Sequence, residues 1–234
     1  MTGTIVDKEL GHLIVRVNPR AKRLTFRTKP DAIYVSVPPG TTNKDIQNAI
    51  ESLRHKLRAA KQRLPEDKKI DLDFRIDTPF FKLSLATGQQ RDKFLAHSEL
   101  GEMKIICPPT ANFDDEGLQE WLRKVIEEAL RRNAKIILPP RLYMLSGKHN
   151  LPYNKVKINS SRGRWGSCSA KKDINLSYFL VLLPQHLIDY VLLHELCHTR
   201  EMNHSDRFWD LLNSVTDNKA FALRNELKGY KTEI

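Results

Sequence analysis

His194-Glu195-Leu196-Cys197-His198, followed six residues later by His204, is the stretch from which the rest of the chain can be read. Each residue of an α-helix turns by about 100°, so two histidines four apart share one face and can hold the same metal ion. Glu195 then projects to the side of that face, close to a water on the metal without being a ligand. The flanks agree with a buried helix. Residues Leu187 to Leu193 are apolar apart from Asp189, and Pro184 precedes them where a first helical turn tolerates proline. A buried helix carrying two imidazoles and a carboxylate must satisfy them, and a metal ion does so. Two hydrogen-bonded histidines on an ordinary helix are the plainer alternative.

Zinc sites that do chemistry take three protein ligands and leave a fourth position to water. His204 is the expected third ligand. It lies just past Met202-Asn203, where the helix must turn, and before Ser205-Asp206, a candidate N-cap and first-turn acid for a new helix. Cys197 falls on the flank opposite Glu195 and reads as a small buried hydrophobe. Glu201, three residues after His198, is a weaker third ligand and a candidate hydrogen-bond partner for a ligand histidine. The expected set is therefore His194, His198 and His204 around one Zn2+ per chain, with Glu195 as the catalytic base.

Further residues stand around this helix: Arg164-Trp165-Gly166-Ser167-Cys168-Ser169, Ile174-Asn175-Leu176, Ile188-Asp189-Tyr190-Val191, Asn203-His204-Ser205 and Phe208-Trp209. In combination they resemble the YgjP-like metallopeptidases, predicted metal-dependent hydrolases related to the SprT-like and Wss1-like zincins. The His198-to-His204 spacing also matches the astacin-like zinc proteases, but those carry glycine where this chain has Glu201. The resemblance is densest from Lys155 to Trp209 and looser over the rest of the chain. The usual residue in the place of Cys197 is small, often alanine. The resemblance implies a zincin fold of the minigluzincin-like type and a single zinc, and it names no substrate.

Composition is that of a soluble protein. The 234 residues suffice for one large or two small domains. Met1-Thr2-Gly3-Thr4 opens no apolar leader, and no apolar run approaches the ~18 residues of a membrane span. Cys107, Cys168 and Cys197 are odd in number and far apart, which argues against a disulfide framework and for the cytoplasm. Cys168, near Arg162 and Arg164, is either a reactive thiol or, more simply, a turn residue packed beneath Trp165. The net charge of +11 admits an anionic partner. Arg54, Lys56, Arg58, Lys61 and Arg63 on one helix, and Arg131, Arg132 and Lys135 on another, read as solvated faces. Arg162, Arg164, Lys171 and Lys172 flank the Trp-Gly-Ser-Cys turn.

The expected fold class is α+β, divided near Pro108-Pro109. Residues 1–109 form a β-rich part with strands at His12–Val17, Ala32–Val37, Phe80–Ala86 and Met103–Cys107. One amphipathic helix interrupts them, capped by Thr42 with Asp45 and carrying Ile46, Ile50, Leu53, Leu57 and Leu64 on one face. Residues 110–234 form the catalytic part. A long helix starts near Asp114-Asp115 and breaks or kinks at Pro139-Pro140. Strands at Lys155–Ser160 and Asp173–Val181 are joined by the Trp-Gly-Ser-Cys loop and pack on the His-Glu-x-x-His helix. A last helix runs from Ser205 to about Lys228. No internal repeat is evident.

Three function classes fit these residues. A zinc peptidase would cleave a polypeptide with a zinc-activated water and Glu195 as base. Its substrate would lie along the strand of Ile174-Asn175-Leu176, or on a strand that this one supports, with Asn175 and Arg164 as candidate contacts. Arg164 and Tyr190 are candidate oxyanion stabilisers. The alternative is a metal-dependent hydrolase of a nucleotide or other small phosphate compound, gripped by Arg162, Arg164, Lys171 and Lys172. A zinc-containing nucleic-acid-binding protein is the third, disfavoured by an open three-ligand site beside a carboxylate.

Overall fold

Alternating apolar residues at Leu13, Val15, Ile33, Val35 and Val37 put one buried face on an N-terminal sheet, and an amphipathic helix covers it. The computed structural model describes residues 2–28, 32–62, 68–90, 92–231 and 234. Strands β1 (Thr2–Asp7), β2 (Gly11–Val17), β3 (Thr25–Thr28) and β4 (Ile33–Val37) lie in the order β1-β2-β4-β3. β2 and β4 are parallel, and the outer pairs are antiparallel. Helix α1 (Asn43–Gln62) adds Ile46, Ile50 and Leu57 to the same core. It starts as its sequence requires: Thr42 Oγ1 accepts from the Asp45 amide at 3.2 Å, and Asp45 accepts from the Thr42 amide at 3.0 Å. Leu64 and Arg63, assigned to this helix from sequence, lie outside the described residues.

The same arrangement follows again. Strands β5 (Arg75–Thr78), β6 (Phe81–Thr87), β7 (Leu95–Glu99) and β8 (Glu102–Cys107) lie in the order β5-β6-β8-β7, with the central pair parallel and the outer pairs antiparallel. The register repeats. Leu13 pairs Ile33 and Val15 pairs Val35 in the first sheet, while Leu83 pairs Met103 and Leu85 pairs Ile105 in the second. Each position lies 70 residues after its counterpart, through Val37-Pro38-Pro39 and Cys107-Pro108-Pro109. The turns agree as well: Thr41 donates to Pro38 O at 3.4 Å, and Ala111 to Pro108 O at 3.1 Å. An internal duplication is thus present where no repeat was evident from sequence. Its buried positions keep apolar character more widely than residue identity: Leu13 recurs as Leu83, while Val15, Ile33 and Val37 become Leu85, Met103 and Cys107.

By compactness the chain divides into Met1–Lys68 and Lys69–Ile234, so the break falls before the second sheet and not at Pro108-Pro109. The reason is the core. Leu83, Leu85, Met103 and Ile105 of the second sheet share one apolar cluster with α2 (Glu116–His149), the later strands and α3 (Gln185–Cys197). Asp115 caps α2, accepting from the Leu118 amide at 2.7 Å. The helix continues through Pro139-Pro140, where a break or kink was expected. Two prolines remove the hydrogen bonds to the carbonyls of Lys135 and Ile136, and both of those residues are exposed, on the face that water reaches. Leu130, Ala134, Leu138 and Leu142 hold the opposite face in the core.

Among the described residues, three strands, a 3-10 helix and three α-helices complete this unit. β9 (Lys155–Asn159) runs parallel to β11 (Asp173–Ser177), and β10 (Gly166–Cys168) pairs antiparallel on the other side of β11. The Trp-Gly-Ser-Cys segment is therefore itself a strand, at the sheet edge. The expected extension of β11 to Val181 is instead a 3-10 helix over Tyr178–Leu182, because Ser177 caps it and donates to Ser161 O at 2.6 Å. Helix α3 (Gln185–Cys197) starts directly after Pro184 and is pinned to α2 by Arg141 Nε donating to Asp189 Oδ1 at 2.7 Å, which accounts for the one acid in its apolar run. The single final helix expected from sequence is two, α4 (Asp206–Val215) and α5 (Ala220–Leu227). Asp217 and Asn218 separate them at φ of 51° and 60°, a left-handed conformation that ends a helix and that Asp and Asn tolerate.

Candidate metal centre

His194 stands in the last turn of α3, His198 closes that helix, and His204 sits one residue before the Ser205 cap of α4. One nitrogen from each of the three imidazoles lies within 4.8 Å of the other two. His194 Nε2 and His204 Nε2 are 3.1 Å apart. Two nitrogens at 2.0–2.1 Å around a tetrahedral zinc are separated by roughly 3.3 Å, so the spacing fits such an ion. His198 Nδ1 is 3.0 Å from the Glu201 carbonyl oxygen. A carbonyl only accepts, so Nδ1 carries the proton and Nε2 is left with a free lone pair, which is how ligand histidines are oriented. Glu201 thus meets His198 through its backbone rather than its carboxylate.

Electrostatics keep the His194 and His198 rings neutral. Burial lowers the pKa of His194 to about 3, with His198 and His204 adding to the effect and Arg224 contributing a smaller push. Burial also lowers His198, against the opposing hydrogen bond to Glu201. Neutral imidazoles are the metal-binding form. Phe208, fully buried on α4, forms a common floor. Its ring centroid lies 4.5 Å from that of His198, 4.7 Å from His204 and 4.9 Å from His194. Its place four residues after His204 is the signal that identifies it.

Glu195 is 5% exposed, and its Oε2 is buried without a protein hydrogen-bond partner. Burial raises its pKa to about 8, while the Arg164 charge works in the opposite direction. A buried carboxylate with a bare oxygen beside three imidazole nitrogens fits a site that receives a cation and a water. Gly166 explains the glycine of the Trp-Gly-Ser-Cys segment. A Cβ there would lie 2.7 Å from both Cγ and Oε1 of Glu195, a distance real contacts do not reach. The edge strand β10 thereby lies directly against the carboxylate, and any Cβ at this position would push the Glu195 side chain aside. Sequence reading singled out the segment without this reason for it.

The remaining candidates distribute as follows. Arg164 is exposed and near enough to act on Glu195. Asn175 is central rather than at an edge, flanked in register by Ser167 of β10 and Lys157 of β9. Because side chains alternate along a strand, it stands on the face opposite Gly166. Tyr190 is 3% exposed, with its ring 6.1 Å from that of His194. Cys168 is no thiolate: burial, then the Glu195 charge, raise it to about 11. The basic group does not form one cluster. Arg162 is paired with Glu127 and lies over Phe179, while Lys171 and Lys172 occupy the β10–β11 turn.

Residues 22–230 match the family described as YgjP-like, metallopeptidase domain. Among solved structures, the crystal structure of the metallopeptidase zymogen of Pyrococcus abyssi abylysin is similar to this chain at 20% identity and a TM-score of 0.37. The match covers 40% of this chain and 93% of that one. No curated protein matches.

Proposed function

The chain belongs to the YgjP-like metallopeptidase family, and from that premise we propose that it is a zinc-dependent peptidase of the zincin type, with His194, His198 and His204 holding the ion and Glu195 as general base. The observation that carries this reading is the convergence of three imidazole nitrogens beside a buried carboxylate with an unpartnered oxygen. When bound, the ion supplies a Lewis acid that lowers the pKa of water from 15.7 toward ~7 and draws charge from a carbonyl oxygen.

The chain's own residues do the rest. Glu195 Oε2 takes a proton from the attacking water and passes it to the nitrogen of the departing amine. Gly166 keeps β10 close enough for an extended polypeptide, paired to the free edge of that strand, to cross above Glu195. Arg164 adds positive charge on the same side. No helix among the described residues is long and apolar enough to cross a membrane. The three cysteines are free, in keeping with a reducing cytoplasm.

Paired variants test the assignment. Glu195→Gln keeps shape and ligands, so it is expected to retain about one zinc per chain while peptide cleavage falls by at least ~100-fold. His204→Ala is expected to lose most of the zinc by metal analysis. Undiminished cleavage by Glu195→Gln, or full zinc in His204→Ala, would overturn the respective role.

A further inference from the structure

We propose that Arg224, held over Trp209, is a specificity-determining residue that receives a carboxylate of the polypeptide substrate beside the metal centre, next to an apolar shelf formed by Trp209 and Phe221. The inference rests on the peptidase reading and adds the chemistry of the preferred substrate.

A row of stacked rings leads outward from the histidines. The Trp209 ring lies 6.0 Å from that of His204 at an interplanar angle of 29°. Phe221 stacks on Trp209 at 4.6 Å and 21°. Phe221 is 52% exposed, a large apolar surface left open next to a polar site. The guanidinium carbon of Arg224 lies 5.0 Å from the Trp209 centroid, one helical turn after Phe221 on α5.

Charge decides what this shelf accepts. Among the described residues no carboxylate or carbonyl meets the Arg224 guanidinium, whereas its neighbour Glu226 is taken up by His186 at 2.7 Å. Arg224 lies over the Trp209 ring and is exposed, so its guanidinium N–H groups are open to bidentate binding of a carboxylate. Its charge also reaches Tyr190 and His194, which places it within electrostatic range of the metal centre. The step from His204 to Trp209, 6.0 Å, and that from Trp209 to the Arg224 guanidinium, 5.0 Å, together span at most about three residues of extended chain at ~3.3 Å each. A carboxylate bound there lies within about three residues of the scissile bond. Two sources share this chemistry: the free C-terminal carboxylate of a polypeptide, and a glutamate or aspartate side chain.

The test is binding, measured by calorimetry on zinc-loaded Glu195→Gln protein. The probes are an N-acetylated tripeptide ending in phenylalanine as the free acid and as the carboxamide, and a pair of carboxamide peptides carrying internal glutamate or glutamine. At least a fivefold preference for one acidic member over its neutral partner is expected, weakening with salt. Preference within the first pair assigns the C-terminal carboxylate, and within the second pair the acidic side chain. Arg224→Gln should erase the preference and Arg224→Lys restore part of it, with melting unchanged because the side chain is exposed. No discrimination in either pair, or a preference that survives Arg224→Gln, overturns the proposal. Failure of the catalytic reading looks different: the wild-type protein cleaves no peptide although the charge preference remains.

Discussion

Leu13 and Leu83 occupy the same place in two sheets of the same order and register, yet only the second sheet shares a core with the helix that carries His194 and Glu195. The first copy keeps a short helix of 20 residues on its own sheet, and nine buried residues form its core. The second copy continues into a helix of 34 residues whose far half packs against the 3-10 helix and α3. Charge separates them too. Residues 1–68 hold 14 basic and 7 acidic residues, which is +7 of the net +11. Most of the excess charge therefore belongs to the unit without the histidine cluster, so net charge is a poor guide to the chemistry here. The duplicated module teaches that a fold can be used once as a separate unit and once as the foundation of a site.

The sharpest way to break this comparison is a methyl group. Gly166→Ala places a Cβ against Glu195, and a carboxylate displaced by about 1 Å can cost on the order of 100-fold in turnover. Zinc content and melting temperature are expected to stay near wild type. Gly3, in the first copy, has nothing within 4 Å of its built Cβ. Gly3→Ala should leave kcat/KM unchanged, and equal losses from the two substitutions would show that the close approach at Gly166 carries no catalytic weight.

A smaller effect tests the cores directly. Leu13→Ala and Leu83→Ala each remove a buried leucine and should cost about 2–5 kcal/mol. They should act on different units. Leu83→Ala is expected to lower the temperature at which zinc is released, because its cavity opens into the core that holds α3. Leu13→Ala should leave zinc release and kcat/KM within about twofold of wild type below the melting of its own unit. The same loss of zinc in both variants would mean that the two modules are not energetically separate.

The clustering of the three histidines was legible because its signal is local: His194 and His198 share a helix face, and His204 precedes a capping serine. So were α1 and the strands around Leu13, Val35, Leu83 and Ile105, where periodicity is strong. What escaped depends on contacts distant in sequence. Gly166 is explained only by Glu195, 29 residues later. The strand at Gly166–Cys168 is too short to show alternation. Pro139-Pro140 read as a break or kink because sequence does not say that the unpaired carbonyls of Lys135 and Ile136 face water. The 70-residue duplication was hidden because cores conserve volume and polarity more tightly than identity.

The smallest expected effect separates the two hairpins that open the modules. Asp7 Oδ1 accepts from the amides of Glu9 and Leu10 at 2.9 Å each, and the carboxylate pairs with Arg54 of α1 through both oxygens at 2.9–3.0 Å. The Arg54 hydrogen bond, then those to the backbone, hold the Asp7 carboxyl well below the usual range. Thr78 closes the second hairpin instead, accepting from the Phe81 amide at 3.1 Å and reaching Val181 O at 3.1 Å. Each substitution, Asp7→Asn or Thr78→Val, should cost about 1 kcal/mol at pH 7. Their pH dependence should differ. A carboxyl with a depressed folded pKa contributes stability above its unfolded value of ~3.9 and loses it as pH falls toward the folded value. The gap between wild type and Asp7→Asn should therefore close progressively below about pH 4, while the gap for Thr78→Val stays constant across the same range. Thermal melts of the three proteins between pH 3 and pH 7 decide it. A constant gap for Asp7→Asn would mean that its neutral hydrogen bonds, and not its charge on Arg54, hold the first module's helix to its sheet.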